Sequence, residues 1–490
     1  MSTKKLKIVS IAAEVAPFSK TGGLADVAKS LPKALKRLGH EVMVITPLYG
    51  QIIDTKTHNL KLIYENVKVY LNSVDKVQIN FWQGYLMRGL PIYFIENKKY
   101  FSAKKELYGS RRENVRFLVF NIAALKLISL LKYEADIVHC HDWHTGLIPY
   151  FLKTDFKYSE TLHKTKTIFT IHNLAFQLGH DWWAVPAEKK DYGKNKIPHI
   201  TDSDIENINF AKRAILSADI INTVSEQYRE EIMTTNFGQD LQQILRNRED
   251  KLFGIVNGID YATYNPQNDP GLFKNYDCNK INNKKLNKDH LQKLLKLKVD
   301  QELPVIALTS RVTFQKGFEL ILQILEPLLH LDIELVFMGD GDKEYINEIK
   351  KFAKRYPKKM AWLSFEENQK IETLLYAGSD IFLLPSHHEP CGINQLIAMR
   401  YGCIPIVRRV GGLMDTVSNY NPRTNRGNGF SFSSFNPYSL YATIIRTLEN
   451  YRYQTNWHKL IVRVMKESNS WEIPARKYVT LYRQAMRREK

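Results

Sequence analysis

The chain has 490 residues, more than one ordinary hydrophobic core holds together, so two domains or more are expected. Its 44% hydrophobic and 25% charged content is that of a globular protein and excludes a disordered or collagen-like chain. Seventy Lys and Arg against 51 Asp and Glu give a formal net charge of +19, which would suit a polyanion. The basic residues are dispersed, however. The one dense run, NKINNKKLNKDHLQKLLKLK (279–298), reads as a solvated Lys/Asn-rich linker entering an amphipathic helix. No nucleic-acid-binding motif accompanies it, so no nucleic-acid partner is expected.

In chain order, KLKIVSIAAEVAPF is a buried strand run, and KTGGLADV (20–27) follows it. The adjacent Gly22 and Gly23 let backbone approach a ligand, and N–H groups at a helix start attract phosphate, with Lys20 adding a full charge. The lysine precedes the glycines, so this is neither a Walker A loop nor GxGxxG, and a plain tight strand-to-helix turn explains the pattern equally well. ADVAKSLPKALKRLG then carries Val27, Leu31, Leu35 and Leu38 on one helical stripe, with Gly39 as the stop. Residues 60–97 switch to period two, which predicts a small antiparallel insertion.

FLVFNIAALKLISLL from Phe117 is broken by Asn121 and Lys126 and is too short and polar to span a bilayer. Glu14 interrupts the apolar run at the N-terminus and no small-residue cleavage site follows, so no secretory leader is expected. Cys140, Cys278, Cys391 and Cys403 lack CxxC spacing, which points to a reducing cytoplasm rather than to disulfides or zinc.

Further strand runs are DIVHCHD, TIFTIHN, DIINTVS and FGIVNG in the first half, then VIALTSR, IELVFMGDG, DIFLLPS and CIPIVRR in the second, with helical patterns between several of them. Such alternation predicts an α/β fold of two doubly wound domains with parallel sheets, facing each other across a cleft. Nearly every strand ends in chemistry: His141-Asp142, His172-Asn173, Ser225, Asn257-Gly258, Arg311, Asp340, Ser386 and Arg408-Arg409. Ligands of open α/β sheets bind beyond those ends.

Three motifs carry the charge. In SRVTFQKGFEL, Arg311 ends a strand and Lys316 stands just before Gly317, a pair suited to a diphosphate unless it is merely a surface pair. In SHHEPCGINQLIAMRYG, Glu389 precedes Pro390, and the N–H groups of Gly392, Ile393 and Asn394 are left for an anion, the plainer reading of Glu389 being a helix cap. RRVGGLMDTV repeats the Gly-Gly-Leu turn. MGDGD (338–342) reads as a Gly-Asp turn rather than a cation site, and the histidines of HCHDWH (139–144) as hydrogen-bonding residues, so no metal site is expected.

Taken in order, KTGGLADV, HDWH, TIHNLAFQ, NTVS, VNGIDYATYNP, SRVTFQKG, EPCGINQLIAMRYG, VRRVGGLMDTV and the terminal SWEIPARKYVTLYRQAM resemble the bacterial glycogen synthase and plant starch synthase family. The resemblance implies a GT-B fold of two Rossmann-like domains: an acceptor-side domain (1–257), a connection (258–300), a nucleotide-sugar domain (301–470) and a C-terminal helix (471–490) crossing back to the first. It also implies retaining transfer of glucose from ADP-glucose to the nonreducing end of an α-1,4-glucan in the cytoplasm, with no metal or other cofactor. By the same resemblance Lys20, the Gly22-Gly23 turn, Asn257 and the amides of Gly392, Ile393 and Asn394 contact the donor, and Arg311 and Lys316 hold its diphosphate. Glu389 matches the family's essential glutamate, His172 the histidine beside the glucose, and Asp142 a carboxylate near the acceptor. Because Lys20 and Arg311 fall in different domains, binding is expected to need closure about Asn257-Gly258 and Ser470-Trp471.

The wording departs from the family at three places. Leu178 separates Gln177 from Gly179 after His172, and residues 181–200 lack the usual sequence. The aromatic residue expected to stack on adenine falls on Glu367, with Phe365 nearest, so UDP-glucose or a smaller acceptor stays open as an alternative, as does an inactive glucan-binding protein.

Overall fold

The computed structural model describes residues 4–487 and divides into two compact units. The chain crosses between them twice, at Asn257–Gly258 and at Ser470–Trp471, so the first unit holds the described residues up to Asn257 together with those from Trp471 to Arg487.

Nine strands build the first unit's sheet: β1 (Lys7–Ile11), β2 (Glu41–Pro47), β3 (Lys61–Tyr70), β4 (Lys76–Met87), β5 (Leu90–Glu96), β6 (Ile137–His141), β7 (Lys166–Ile171), β8 (Ile220–Thr223) and β9 (Leu252–Gly254). Their order is β3-β4-β5-β2-β1-β6-β7-β8-β9, parallel from β5 to β9. The predicted antiparallel insertion is an extension of this sheet rather than a separate body. β4 runs antiparallel to both β3 and β5, while β5 also pairs in parallel with β2, so the period-two segment grows outward from one edge. β6 and β7 are buried at every position, the pattern of strands covered on both faces.

The helix Glu472–Arg487 belongs to this first core. Trp471, Ala475, Tyr478, Val479, Leu481, Tyr482 and Ala485 pack with Ile8, Val27, Leu31, Ile137, Ile168 and Ile220. Each fully buried large side chain contributes about 1.5–3 kcal/mol. The apolar stretch flagged from Phe117 is the helix Glu113–Leu130, buried almost all round. Asn121, which interrupts it, donates to Phe117 O and His144 O and accepts from Leu147 N, fixing the segment that follows β6.

The second unit carries β10 (Val305–Thr309), β11 (Glu334–Met338), β12 (Met360–Leu363), β13 (Ile381–Leu384), β14 (Ile404–Arg408) and β15 (Phe430–Phe432), all parallel, in the order β12-β11-β10-β13-β14-β15. This is the doubly wound dinucleotide-binding order, and its direction reverses between β10 and β13. In the first sheet the corresponding reversal lies between β1 and β6.

The Lys/Asn-rich run is only partly solvated: Lys280, Lys285, Lys293, Lys296 and Lys298 are exposed, as expected, but two lysines are not. Its helix Asn282–Leu294 buries Lys284, Asn287, Lys288 and Gln292 within the second unit. Lys284 Nζ donates to Tyr376 O, Ala377 O and Ser379 O, closing the carbonyl end of the helix Glu372–Gly378. Lys288 pairs with Asp380 at 2.8 Å. Polar pattern alone could not show this, because Lys284 is buried through helix-end carbonyls and Lys288 through an aspartate distant in the chain, neither of which the sequence displays.

Candidate active site

Each sheet carries its sequence-flagged residues beyond the ends of its strands. In the first unit β1 runs on to Glu14, a carboxylate that is 2% exposed and accepts from Thr21 N at 2.6 Å and Thr21 Oγ1 at 2.8 Å. Glu14 thereby holds the turn into the helix Gly23–Arg37. Gly22 caps that helix with an extended backbone, and a Cβ there would meet nothing. Lys20 does not stand alone as a free charge: its Nζ pairs with Asp26, 2.9 Å away in the first helical turn. Burial pushes the Glu14 carboxyl up to about 7 against the pull of its Thr21 hydrogen bonds.

That shift has a sign. The native protein keeps a proton on Glu14 that the unfolded chain releases near pH 4.5, so the stability it supports is full below about 4.5 and lost as pH rises through about 7. Gln can accept the Thr21 bonds without charge. Glu14→Gln should therefore raise the Tm at pH 8, by about 3 kcal/mol in stability, and leave it unchanged at pH 4.5. Equal thermal melts of the two proteins at pH 8 would show that the ionised carboxylate is accommodated at no cost.

Asp142 follows β6 and His172 follows β7, and the structure brings them together. Asp142 Oδ1 accepts from His172 N at 2.8 Å and from Asn173 N at 3.4 Å. Asp142 holds φ +58°, ψ 175°, a region essentially reserved for glycine that costs on the order of 1–3 kcal/mol. The two amide bonds offset that strain and orient the loop after β7. Burial pushes the Asp142 carboxyl up to about 7 and the His172 imidazole down to about 3.

The departures after His172 have a structural reason. Leu178 is 3% exposed and forms a small apolar cluster with Trp182 and Val185. Asp191 receives Arg213 through both carboxylate oxygens at 2.7 and 2.8 Å, and Lys190 lies 4.7 Å from the Trp182 ring while pairing with Asp240. The altered wording of residues 181–200 thus supplies a core for the added Leu178.

In the second unit, β10 leads through Ser310 to Arg311, which is exposed and carries no ion pair among the described residues. The turn Phe314–Lys316 ends at Gly317, whose φ is +78° and whose Cβ would lie 2.2 Å from Pro385 O. Only glycine allows this approach to the end of β13, and it seats Lys316 beside Glu389. Lys316 Nζ lies 2.5 Å from Glu389 Oε2, with their side chains 17% and 9% exposed. Ser386 Oγ donates to the same oxygen at 3.1 Å. Burial lowers the neighbouring His388 imidazole to about 4.

Several residues that the sequence reading left without a role support this pair. Arg408, at the end of β14, donates to Ser386 O, His387 O and Ser433 O and so braces the segment before Glu389. The repeated glycine turn has a packing role. A Cβ on Gly411 would lie 2.0 Å from Glu389 O and one on Gly412 2.2 Å from Cys391 O, while Gly412 N donates to Glu389 O and Pro390 O. Asn394 Nδ2 donates to Thr309 O at 2.7 Å, tying the helix Asn394–Arg400 to the end of β10. Gly392, at φ +74°, and Ile393 precede that helix, whose first amides have no intrahelical acceptor.

Asn257, the last residue before the first crossing, is 5% exposed with its Oδ1 unpartnered among the described residues. MGDGD is not the Gly-Asp turn expected: Gly341 bridges in parallel to Val312, with Val312 N donating to Asp340 O and Asp342 N to Val312 O, and Asp342 caps the helix Lys343–Arg355. Among the described residues no group of three or more His, Cys, Asp or Glu is arranged to hold a metal ion, and no helix is long and apolar enough to cross a membrane.

The starch synthase catalytic domain family matches residues 7–247, and the glycosyl transferases group 1 family matches residues 292–460. The glycogen synthase of Clostridium acetobutylicum is 41% identical over 481 residues, covering 97% of this chain and 99% of that protein. That of Caldicellulosiruptor bescii is 40% identical over 487 residues, covering 97% and 99%. The chain belongs to the glycogen and starch synthase family of glycosyltransferases. Its fold is likewise that of the solved catalytic domain of starch synthase IV from Arabidopsis thaliana, bound there to ADP and acarbose. The two share 30% identity with a TM-score of 0.88 over 99% of this chain and 100% of that one. The GT-B class expected from the motifs is thereby shown.

Proposed function

We propose that the enzyme transfers the glucosyl group of ADP-glucose to the nonreducing 4-hydroxyl of an α-1,4-glucan, with retention at C1 and without a metal. The observation that carries this is the Lys316–Glu389 pair, shielded from solvent at the reversal point of a dinucleotide-type sheet. Breaking the C1–O bond leaves the electron pair on the departing phosphate while the sugar becomes oxocarbenium-like. Cations fixed beforehand beside that phosphate lower the barrier more than they strengthen ground-state binding. Lys316 and Arg311 are assigned that role, and Glu389 is assigned the sugar hydroxyls. Asp142 and His172 are assigned to the glucosyl and acceptor side, Asp142 through the two amides it orders. Lys20, Gly22, Gly23, Asn257, Gly392, Ile393 and Asn394 are kept as proposed donor contacts. The ADP held by the starch synthase IV structure supports an adenine donor.

The test is incubation with glycogen and either ADP-glucose or UDP-glucose, with and without EDTA, followed by digestion with an α-1,4-specific glucanase. The expected result is a digestible product, a higher kcat/KM for ADP-glucose and indifference to EDTA. Equal kcat/KM for the two donors would show that the base is not read. Activity lost to EDTA and restored by manganese would overturn the metal-free reading.

A further inference from the structure

The site's imidazole is governed from below by two residues that no role so far described absorbs. His141 Nδ1 lies 3.0 Å from His172 Nε2, and His141 Nε2 lies 3.2 Å from Ser10 Oγ. His141 is fully buried and Ser10 is 2% exposed. Burial holds both imidazoles well below their usual range, so each ring is neutral and carries one N–H.

A chain of two neutral imidazoles and one hydroxyl allows only two proton arrangements. In the first, the Ser10 hydroxyl donates to His141 Nε2, His141 Nδ1–H donates to His172 Nε2, and the His172 proton sits on Nδ1. In the second, every bond is reversed and the Ser10 hydroxyl becomes the acceptor. Its own proton then has nowhere to go, because His141 is its sole hydrogen-bond partner among the described residues. A buried donor without an acceptor costs its full desolvation, so the first arrangement prevails.

The His141 ring is also held against turning over. The tilted His139 ring lies against it with centroids 4.0 Å apart, and His139 is itself fixed by Tyr482 OH at 2.9 Å and Thr170 Oγ1 at 2.7 Å. The C-terminal helix thus reaches the base of the relay. His172 Nδ1, by contrast, has no partner among the described residues, and the His172 side chain is only partly buried.

We propose that Ser10 and His141 are positioning residues that fix His172 as its Nδ1–H tautomer, so that the site presents a hydrogen-bond donor, not a base, to an oxygen of the transferred sugar. The proposal rests on the reading that places His172 beside the glucosyl group. It assigns His172 no proton abstraction: its basic nitrogen is occupied by His141, and its free nitrogen already carries a proton.

The experiment is two-bond 1H–15N correlation of the full-length protein labelled with 15N-histidine, with the His172 signals assigned by their loss in His172→Gln. It is run on the wild type, Ser10→Ala, His141→Asn and His141→Leu, with kcat and melting temperature measured alongside. Asn places an amide donor where His141 Nδ1 stood, whereas Leu offers none. Wild type and His141→Asn are expected to show His172 protonated on Nδ1. Ser10→Ala and His141→Leu are expected to lose that preference, and their kcat to fall about tenfold, the scale on which outer partners of an oriented imidazole act. A wild-type His172 protonated on Nε2 overturns the proposal, and so does a Ser10→Ala protein whose spectrum and kcat are unchanged. The Nδ1–H spectrum in a protein that transfers no glucose would support the relay while removing the proposed function.

Discussion

Glu389→Gln is expected to lower kcat roughly 10²-fold or more, the scale on which loss of a transition-state hydrogen-bonding group acts, with a much smaller change in the KM for ADP-glucose. Gln has nearly the same shape and can still accept from Ser386, so the segment braced by Arg408 and the Gly411-Gly412 turn should keep its place. What is lost is the negative charge beside an oxocarbenium-like sugar, together with its hold on Lys316 at 2.5 Å. A helix cap would behave differently: its removal changes the melting temperature by about 1 kcal/mol worth of stability and leaves turnover nearly intact. Initial rates at saturating donor and glycogen, with melts of both proteins, separate the two readings. Turnover within a few-fold of the wild type would remove Glu389 from the site.

The legible and illegible parts of this site differ for a physical reason. Parallel strands announce themselves as apolar runs, and the residues just beyond them, such as Asp142, His172, Arg311 and Glu389, are readable because they interrupt that pattern. The supporting contacts are not readable, since they run between backbone and distant side chains. Nothing in VGGL says that Gly411 and Gly412 lie against the carbonyls of Glu389 and Cys391, and nothing in CIPIVRR says that Arg408 donates to the loop before Glu389. In sequence Glu14 is only a break in an apolar run, because its Thr21 bonds and its burial belong to the folded chain. The strands Met360–Leu363 and Phe430–Phe432 were too short to stand out as runs, yet they complete the sheet order. Lys284 and Lys288 run against the pattern because lysine is usually solvated, while the partners that bury them, a helix's carbonyl end and Asp380, are invisible in sequence.

Lys316→Ala should be the more damaging single change, lowering kcat/KM roughly 10³-fold, because it removes a preplaced cation from the position where phosphate charge develops. It also leaves Glu389 buried with Ser386 as its remaining side-chain donor, so the variant should melt earlier than the wild type. Lys316→Arg should restore little. The guanidinium is broader than an ammonium, and Gly317 packs against Pro385 O with no room to yield. The decisive measurement is the double variant Lys316→Ala/Glu389→Gln. Groups that serve one transition state lose their effect together, so the double variant should fall roughly 10³-fold, close to Lys316→Ala alone, instead of the roughly 10⁵-fold product of independent losses. It should also melt higher than Lys316→Ala, since the neutral amide no longer leaves an unpaired carboxylate buried. A multiplicative loss in kcat/KM would mean that Lys316 and Glu389 act separately, and the 2.5 Å pair would then be a resting-state contact with no part in the transfer.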